Sequence, residues 1–497
     1  MSTTPYETLV ADLKEANVIG SIASLLGWDQ QVNLPPKSHD RRGEQMAALS
    51  KVYFNAATNP RIGESLAALE AKGDAATDDE KVVCKHVRKD YDRMTKLSAE
   101  FVAEKARLDT EAFQVWTQAK PANDFAMFAP FLQRQLDMAK REAAMLGEPD
   151  AYDYLIDKHD PGMTTARIAV LFDELKRDLV PLVRKIVDSP VKADTSRFKD
   201  FPTALQRTFS NEISAAVGFN FDRGRLDTAV HPFCSGDAAD TRMTTKFKEH
   251  LPLDSVFSSL HESGHALYEQ GLPMDKLGTP LGEAVGMGVH ESQSRLWENQ
   301  VGRGRAFWKR FEPRFREIYA PRLDGVSSDA LYLAINRVGL TPIRTESDEV
   351  TYNLHIILRF EIEKGLFAGT LKVADLPGAW RAKAKEMLGL DLNSDTEGVL
   401  QDVHWSGGAF GYFPSYCIGN MIASQLWFTV LKTMPDIERD FERGEFSRLL
   451  GWLRTNIHAH GKRYDTEDLV KRVTGEGISP KHLIRYLNER YVPLYCG

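Results

Sequence analysis

In the stretch DSVFSSLHESGHALYEQG, residues 254–271, the apolar residues Val256, Phe257, Leu260, Ala266 and Leu267 recur at helical spacing. Gly271-Leu272-Pro273 supplies a stop, so the stretch is read as a helix. On that helix His261 and His265 stand one turn apart and project from one face, where both imidazoles can reach a single ion. Glu262 sits one step round, beside the position where a water would bind. A catalytic zinc takes three protein ligands and keeps a place for water. After His265 come Ala-Leu-Tyr-Glu-Gln-Gly, so a third His at the spacing of the longer zinc motifs is excluded. The third ligand is expected to be an acid on a following helix.

The segment from Gly271 to Gly288 is rich in glycine and contains Pro273 and Pro280, which makes it a loop. VHESQSRLWENQVG, from 289, resumes helical spacing through Val289, Leu296, Trp297 and Val301. Glu291 lies in the first turn of that second helix and can face back toward the two histidines. Glu283 in the loop and Glu298 two turns on are its rivals. His290 reads as a residue behind the site or as a packed neighbour.

Outward from this core, the 497-residue chain is 42% hydrophobic and 27% charged, an ordinary soluble globular composition. The net charge of −7 lacks the basic footprint of a nucleic-acid binder. No apolar run approaches the roughly 18 residues that span a bilayer, and the N-terminus shows no basic-then-apolar signal pattern. Cys84, Cys234, Cys417 and Cys496 are scattered without C-x-x-C spacing, which suits free thiols in a reducing compartment. A cytoplasmic protein is expected.

Most of the chain reads as helix. From 77 to 118 there is one long amphipathic run that starts at a Thr77/Glu80 capping box. A second, 171–188, puts Phe172, Leu175, Leu179, Leu182 and Ile186 on one side, with Pro181 expected to kink or restart it. The exception is 224–247, where LDTAV and TRMTT flank a Gly/Asp turn and suggest a small hairpin packed on a helix. An edge strand there could receive an extended peptide. The domain reading is a helical region over 1–220 and a catalytic region over 221–497, with a soft boundary inside one two-lobed unit.

Six short motifs then fall in a set order: HPF at 231–233, DTRMT at 240–244, HESGH at 261–265, HESQ at 290–293, IRTESD at 343–348 and GVLQDVHW at 398–405. In these the sequence closely resembles the carboxypeptidase Taq family of metallocarboxypeptidases. The resemblance implies a mostly α fold like that of the angiotensin-converting and thimet-type peptidases, with two lobes and a deep central cleft. It also implies a homodimer, and the small β-hairpin or sheet read from 224–247 is expected beside the active site. Single residues would be removed from peptides with a free C-terminus. It favours Glu291 as the third ligand, with Zn²⁺ as the expected ion and Co²⁺ or Mn²⁺ as substitutes.

A carboxypeptidase must read a free carboxylate, and the planar fork of arginine suits that task. Arg344 in IRTESD and Arg242 in DTRMT are the candidates, and the loop setting of Arg344, near Gly339 and Pro342, favours it. His404, Tyr412 and Tyr416 enter from the Gly-rich turn of QDVHWSGGAFGYFPSY, with His404 and Tyr416 placed to stabilise an oxyanion. His231 is a further candidate lining residue, while His355 reads as core. The expected reaction is amide hydrolysis in which the ion polarises the carbonyl and acidifies its water, with Glu262 as the base. Two rivals remain: a dipeptidase or oligoendopeptidase on the same fold, and a metal-bound scaffold without turnover.

Overall fold

In the computed structural model, which describes residues 3–497, helices dominate and strands are confined to one small sheet. The expected run over 77–118 is two helices, Asp78–Lys96 and Ala99–Ala122. Its start is as read: the Glu80 carboxylate accepts from Thr77 N at 2.8 Å, and Thr77 Oγ1 accepts from Glu80 N at 3.2 Å. The break comes at Ser98, whose hydroxyl accepts from Phe101 N at 3.2 Å and opens the second helix. Apolar spacing continues across the break, so periodicity alone does not show it. The helix Thr165–Val187 buries the five predicted residues and runs through Pro181 as one element.

The strands β1 (Gly224–Thr228), β2 (Cys234–Gly236) and β3 (Thr241–Thr245) form a mixed sheet in the order β1-β3-β2. The hairpin is therefore β2 with β3, antiparallel, while the LDTAV segment pairs with β3 in parallel. The turn explains the difference. Gly236 takes a positive φ of 101°, and Asp237 Oδ1 accepts from Ala239 N and Asp240 N at 2.8 and 3.2 Å. That tight turn commits Cys234–Gly236 to the antiparallel edge and leaves β1 the other one. Met243 of β3 packs with Leu226, Phe219 and Ala266, which seats the sheet on the helix Pro252–Glu269.

The chain divides into two compact units. The first takes the chain up to Thr95, Asp194–Ile335 and Leu426–Gly475, and holds the sheet with the HESGH and HESQ motifs. The second takes Lys96–Ala193, Asn336–Gln425 and Glu476–Gly497, and holds the IRTESD and GVLQDVHW motifs. No helix among the described residues is long and apolar enough to cross a membrane.

Candidate metal centre and active site

The HESGH residues lie on the helix Pro252–Glu269 and the HESQ residues on the helix Met287–Arg295, which continues as a π-helical turn over Leu296–Val301. Gly264 lets the two helices meet. A Cβ built there would stand 2.5 Å from Ser294 Cα and 2.6 Å from the Gln293 carbonyl oxygen. No larger side chain fits that approach without moving backbone. The contact brings Glu291, three residues before Ser294 on the second helix, over the two histidines.

As a result His261, His265 and Glu291 form one group whose ligand atoms lie within 4.8 Å of one another. His261 Nε2 and His265 Nε2 point at the same oxygen, Glu291 Oε2, from 3.5 and 3.4 Å. Ligands bonded at about 2.0–2.2 Å to a tetrahedral ion lie about 3.3–3.6 Å apart. The donor set and its spacing fit a divalent metal. The rival acids are occupied elsewhere: Glu283 pairs with Lys462 Nζ at 2.5 Å, and Glu298 Oε2 holds His261 Nδ1 at 2.9 Å.

Each ligand has a partner behind it. Glu291 Oε1 accepts from Arg295 Nε at 2.6 Å, and Arg295 Nη1 also reaches Glu298 Oε2 at 3.0 Å. His265 Nδ1 lies 2.5 Å from His290 Nδ1, and His290 Nε2 lies 2.7 Å from Glu269 Oε1. Burial pushes His265 down to about 3, which keeps its ring neutral as a ligand should be. Burial also opposes the charged form of Glu291, but Arg295 and His261 outweigh it and hold the carboxyl well below the usual range. The same balance, with Arg295 and His261 dominant, holds Glu298 down to about 2. At Glu262 the balance runs the other way, because burial outweighs the pull of His261. Glu262 is 5% exposed, and burial pushes its carboxyl up to about 7.

The second unit carries another cluster. Arg344, 7% exposed, donates from Nε and Nη2 to Asp402 Oδ1 at 3.0 and 2.9 Å and from Nη1 to Tyr352 Oη at 3.2 Å. Arg359, fully buried, donates from Nε and Nη2 to Asp402 Oδ2, so two guanidinium groups share one carboxylate. Tyr416 lies under Arg344, with the guanidinium 5.3 Å from its ring centre. Tyr412 meets Tyr416 edge to face at 5.3 Å, and the His404 ring stands 5.5 Å from Tyr412. His404 Nδ1 is buried without a hydrogen-bond partner, and burial pushes the ring down to about 4. His355 is buried, its ring pushed down to about 3 by burial and the nearby arginines.

Arg242 and His231 are set differently. Arg242 donates to Asp240 at 2.8 Å and lies 4.4 Å from the ring centre of Trp28, which Arg225 also faces at 4.9 Å. His231 is exposed, while Phe233 of the same motif is tied to β3 through Thr244. Sequence reading missed Asp402, Arg359, Glu298's support of His261 and the Glu269 contact. Asp402 stood inside a quoted motif. Arg359 was signalled by its place in the apolar run HIILRFEI, where a charge is rarely buried without a partner.

A model of the carboxypeptidase Taq (M32) metallopeptidases matches residues 8–491. The chain belongs to that family. It is a metallocarboxypeptidase, an enzyme that acts on the C-termini of peptides. Among relatives of this M32 chain, Thermostable carboxypeptidase 1 of Thermus thermophilus is 41% identical over 504 residues, covering 99% of each chain. Carboxypeptidase 1 of Bacillus subtilis is 37% identical with the same coverage. The crystal structure of the M32 carboxypeptidase from Deinococcus radiodurans R1 superposes with a TM-score of 0.96 at 39% identity, covering 99% of each chain.

Proposed function

We propose that this M32 enzyme is a zinc-type carboxypeptidase that removes single residues from peptides with a free C-terminus, with Glu262 as its general base. The observation that carries the reading is the convergence of His261 Nε2 and His265 Nε2 on Glu291 Oε2, with a buried Glu262 next along the chain from His261. A divalent ion held by these three residues would supply Lewis acidity toward the scissile carbonyl and make a water beside it more acidic. Zn²⁺ suits the two-His, one-Glu set best, with Co²⁺ or Mn²⁺ as substitutes.

Glu262 takes the proton of the attacking water and passes it to the nitrogen of the leaving amino acid. Its elevated affinity for a proton suits a group that must hold one between these two transfers. Arg344 receives the substrate carboxylate. Its neighbourhood supports this, because Arg344 and Arg359 place two positive charges against the single negative charge of Asp402. The positive excess is matched by one incoming carboxylate. Arg242 is the alternative reader, although it already holds Asp240 and Trp28.

His404 and Tyr416 serve as donors to the developing oxyanion, and Tyr412 and His231 as contacts for the peptide. The region 221–497 carries all of these groups, with 1–220 as helical support. We include in the proposal a homodimer and a cytoplasmic setting, the latter supported by four unpaired cysteines. The test is to incubate metal-loaded protein with matched peptides bearing free and amidated C-termini and read the products by mass spectrometry. Stepwise loss of single C-terminal residues from the free-acid peptide alone is expected. Internal cleavage of both would favour an oligoendopeptidase, and no cleavage a scaffold.

A further inference from the structure

We propose that His290 and Glu269 form a positioning relay that fixes the tautomer of His265 and raises the affinity of the metal site. The inference rests on the reading of His265 as a ligand through Nε2. It adds two residues with no place in the reaction as set out above.

The argument starts from the two ring nitrogens that face each other, His265 Nδ1 and His290 Nδ1, 2.5 Å apart. At that separation one nitrogen must carry the hydrogen and the other must be bare. His265 turns Nε2 toward Glu291 Oε2, where a ligand needs a lone pair, so its hydrogen sits on Nδ1. His290 Nδ1 is then the acceptor, and the hydrogen of a neutral His290 is left on Nε2. That nitrogen lies 2.7 Å from Glu269 Oε1, an acceptor of the right kind in the right place. One assignment satisfies all three contacts. Reversing the first link would put the hydrogen of His265 on Nε2, where a ligand needs its lone pair.

The geometry is economical in sequence. Glu269 lies four residues beyond His265 and eight beyond His261, on the same helical stripe, and His290 immediately precedes the ligand Glu291. The ring of Tyr268, 5.2 Å from that of His290, packs beside the relay. The two histidine ligands are thus supported in different ways. His261 Nδ1 meets the Glu298 carboxylate directly at 2.9 Å, whereas His265 reaches its carboxylate through a second imidazole. A carboxylate behind a ligating imidazole orients the ring and makes it more basic, and its loss costs about 10- to 100-fold in metal affinity.

The experiment measures Zn²⁺ and Co²⁺ dissociation constants by chelator competition, with the visible spectrum of the Co²⁺-loaded protein as a second readout. The variants are His290→Phe, His290→Asn, Glu269→Gln and His265→Ala. His290→Phe keeps a ring but no acceptor and should weaken metal binding about 10- to 100-fold with a changed Co²⁺ spectrum. His290→Asn restores an acceptor near the Nδ1 position and should recover part of the loss. Glu269→Gln, at a partly exposed site, removes only the charge and should give a smaller weakening, which keeps the test in force should His290→Phe fail to fold. With saturating metal all three should still fill. Unchanged constants and spectra in folded Glu269→Gln and either His290 variant, alongside metal loss in His265→Ala, would overturn the relay alone. Full metal retention in His265→Ala would overturn both the relay and the ligand reading beneath it.

Discussion

The metal centre and the Arg344–Asp402–Arg359 cluster are both knots of buried charge, and they are unbalanced in opposite senses. Around the histidines, the buried Glu262, Glu291 and Glu298 outnumber Arg295 and Arg303. In the second cluster two arginines share Asp402. An isolated buried charge costs several kcal/mol, so a folded protein keeps such an excess only where something else completes it. The negative excess is suited to a cation and the positive excess to an anion. The proposed reading fits the sign of each imbalance, with a divalent ion at the first cluster and a substrate carboxylate at the second.

The largest effect expected from breaking the first cluster is on turnover. Glu291→Ala, His261→Ala and His265→Ala should lose metal and activity together, and a chelator should do the same to the wild type. Glu262→Gln separates the two properties: metal stays, while kcat falls by roughly 10²–10⁴. Metal analysis beside kinetics checks both. Near-normal turnover in Glu262→Gln would remove that residue as base.

Breaking the second cluster should first be felt as instability. Asp402→Ala leaves two arginines facing each other and should cost about 3–5 kcal/mol in denaturant unfolding. The pH dependence has a definite sign. Burial opposes the charge of Asp402, but Arg359 and Arg344 prevail and hold its carboxyl below the usual carboxylate range. Its contribution is therefore complete above its ordinary value of 3.8 and is lost as the pH falls toward the folded value. Wild-type stability should decline on acidification through that window, and the part due to this residue should be missing in Asp402→Asn. A parallel acid limb in both proteins would show that the cluster does not depend on that charge.

Arg344→Ala tests the receptor role. The ratio of kcat/KM for free-acid over amidated peptide should fall by an amount equivalent to about 2–5 kcal/mol. Arg344→Lys should recover only part, because an ammonium cannot form the two-pronged contact. The smallest effect belongs to Arg242→Ala. It should leave that ratio unchanged and cost about 1 kcal/mol of stability through its ring contact with Trp28 and its half-exposed partner Asp240. A collapse of the ratio in Arg242→Ala with none in Arg344→Ala would reverse the assignment.

What could be read from sequence was local. The pair His261 and His265 needed only the pitch of a helix, and the Thr77/Glu80 cap needed only three residues of spacing. Glu291 needed more, because two other acids satisfied the same local argument. Gly264 and the fold around it made that choice. Residues whose duty depends on distant chain were missed: Glu269 meets His290 across 21 positions, and Arg359 meets Asp402 across 43. The partner of TRMTT went wrong for a similar reason. LDTAV carried the strand signal, but the turn at Gly236–Asp240 folds Cys234–Gly236 back on TRMTT instead.

The glycine at 264 also sets the dimensional tolerance of the whole centre. A methyl group there would need about 3.5 Å from neighbouring carbon and would find 2.5 Å, so the second helix would have to retreat by about 1 Å. Metal–ligand distances tolerate only about ±0.2 Å. The mismatch is fivefold, and it falls on the helix that delivers Glu291. A chain altered at this one point can keep its three ligands and still fail as a vice, because its jaws no longer close to the width of the ion.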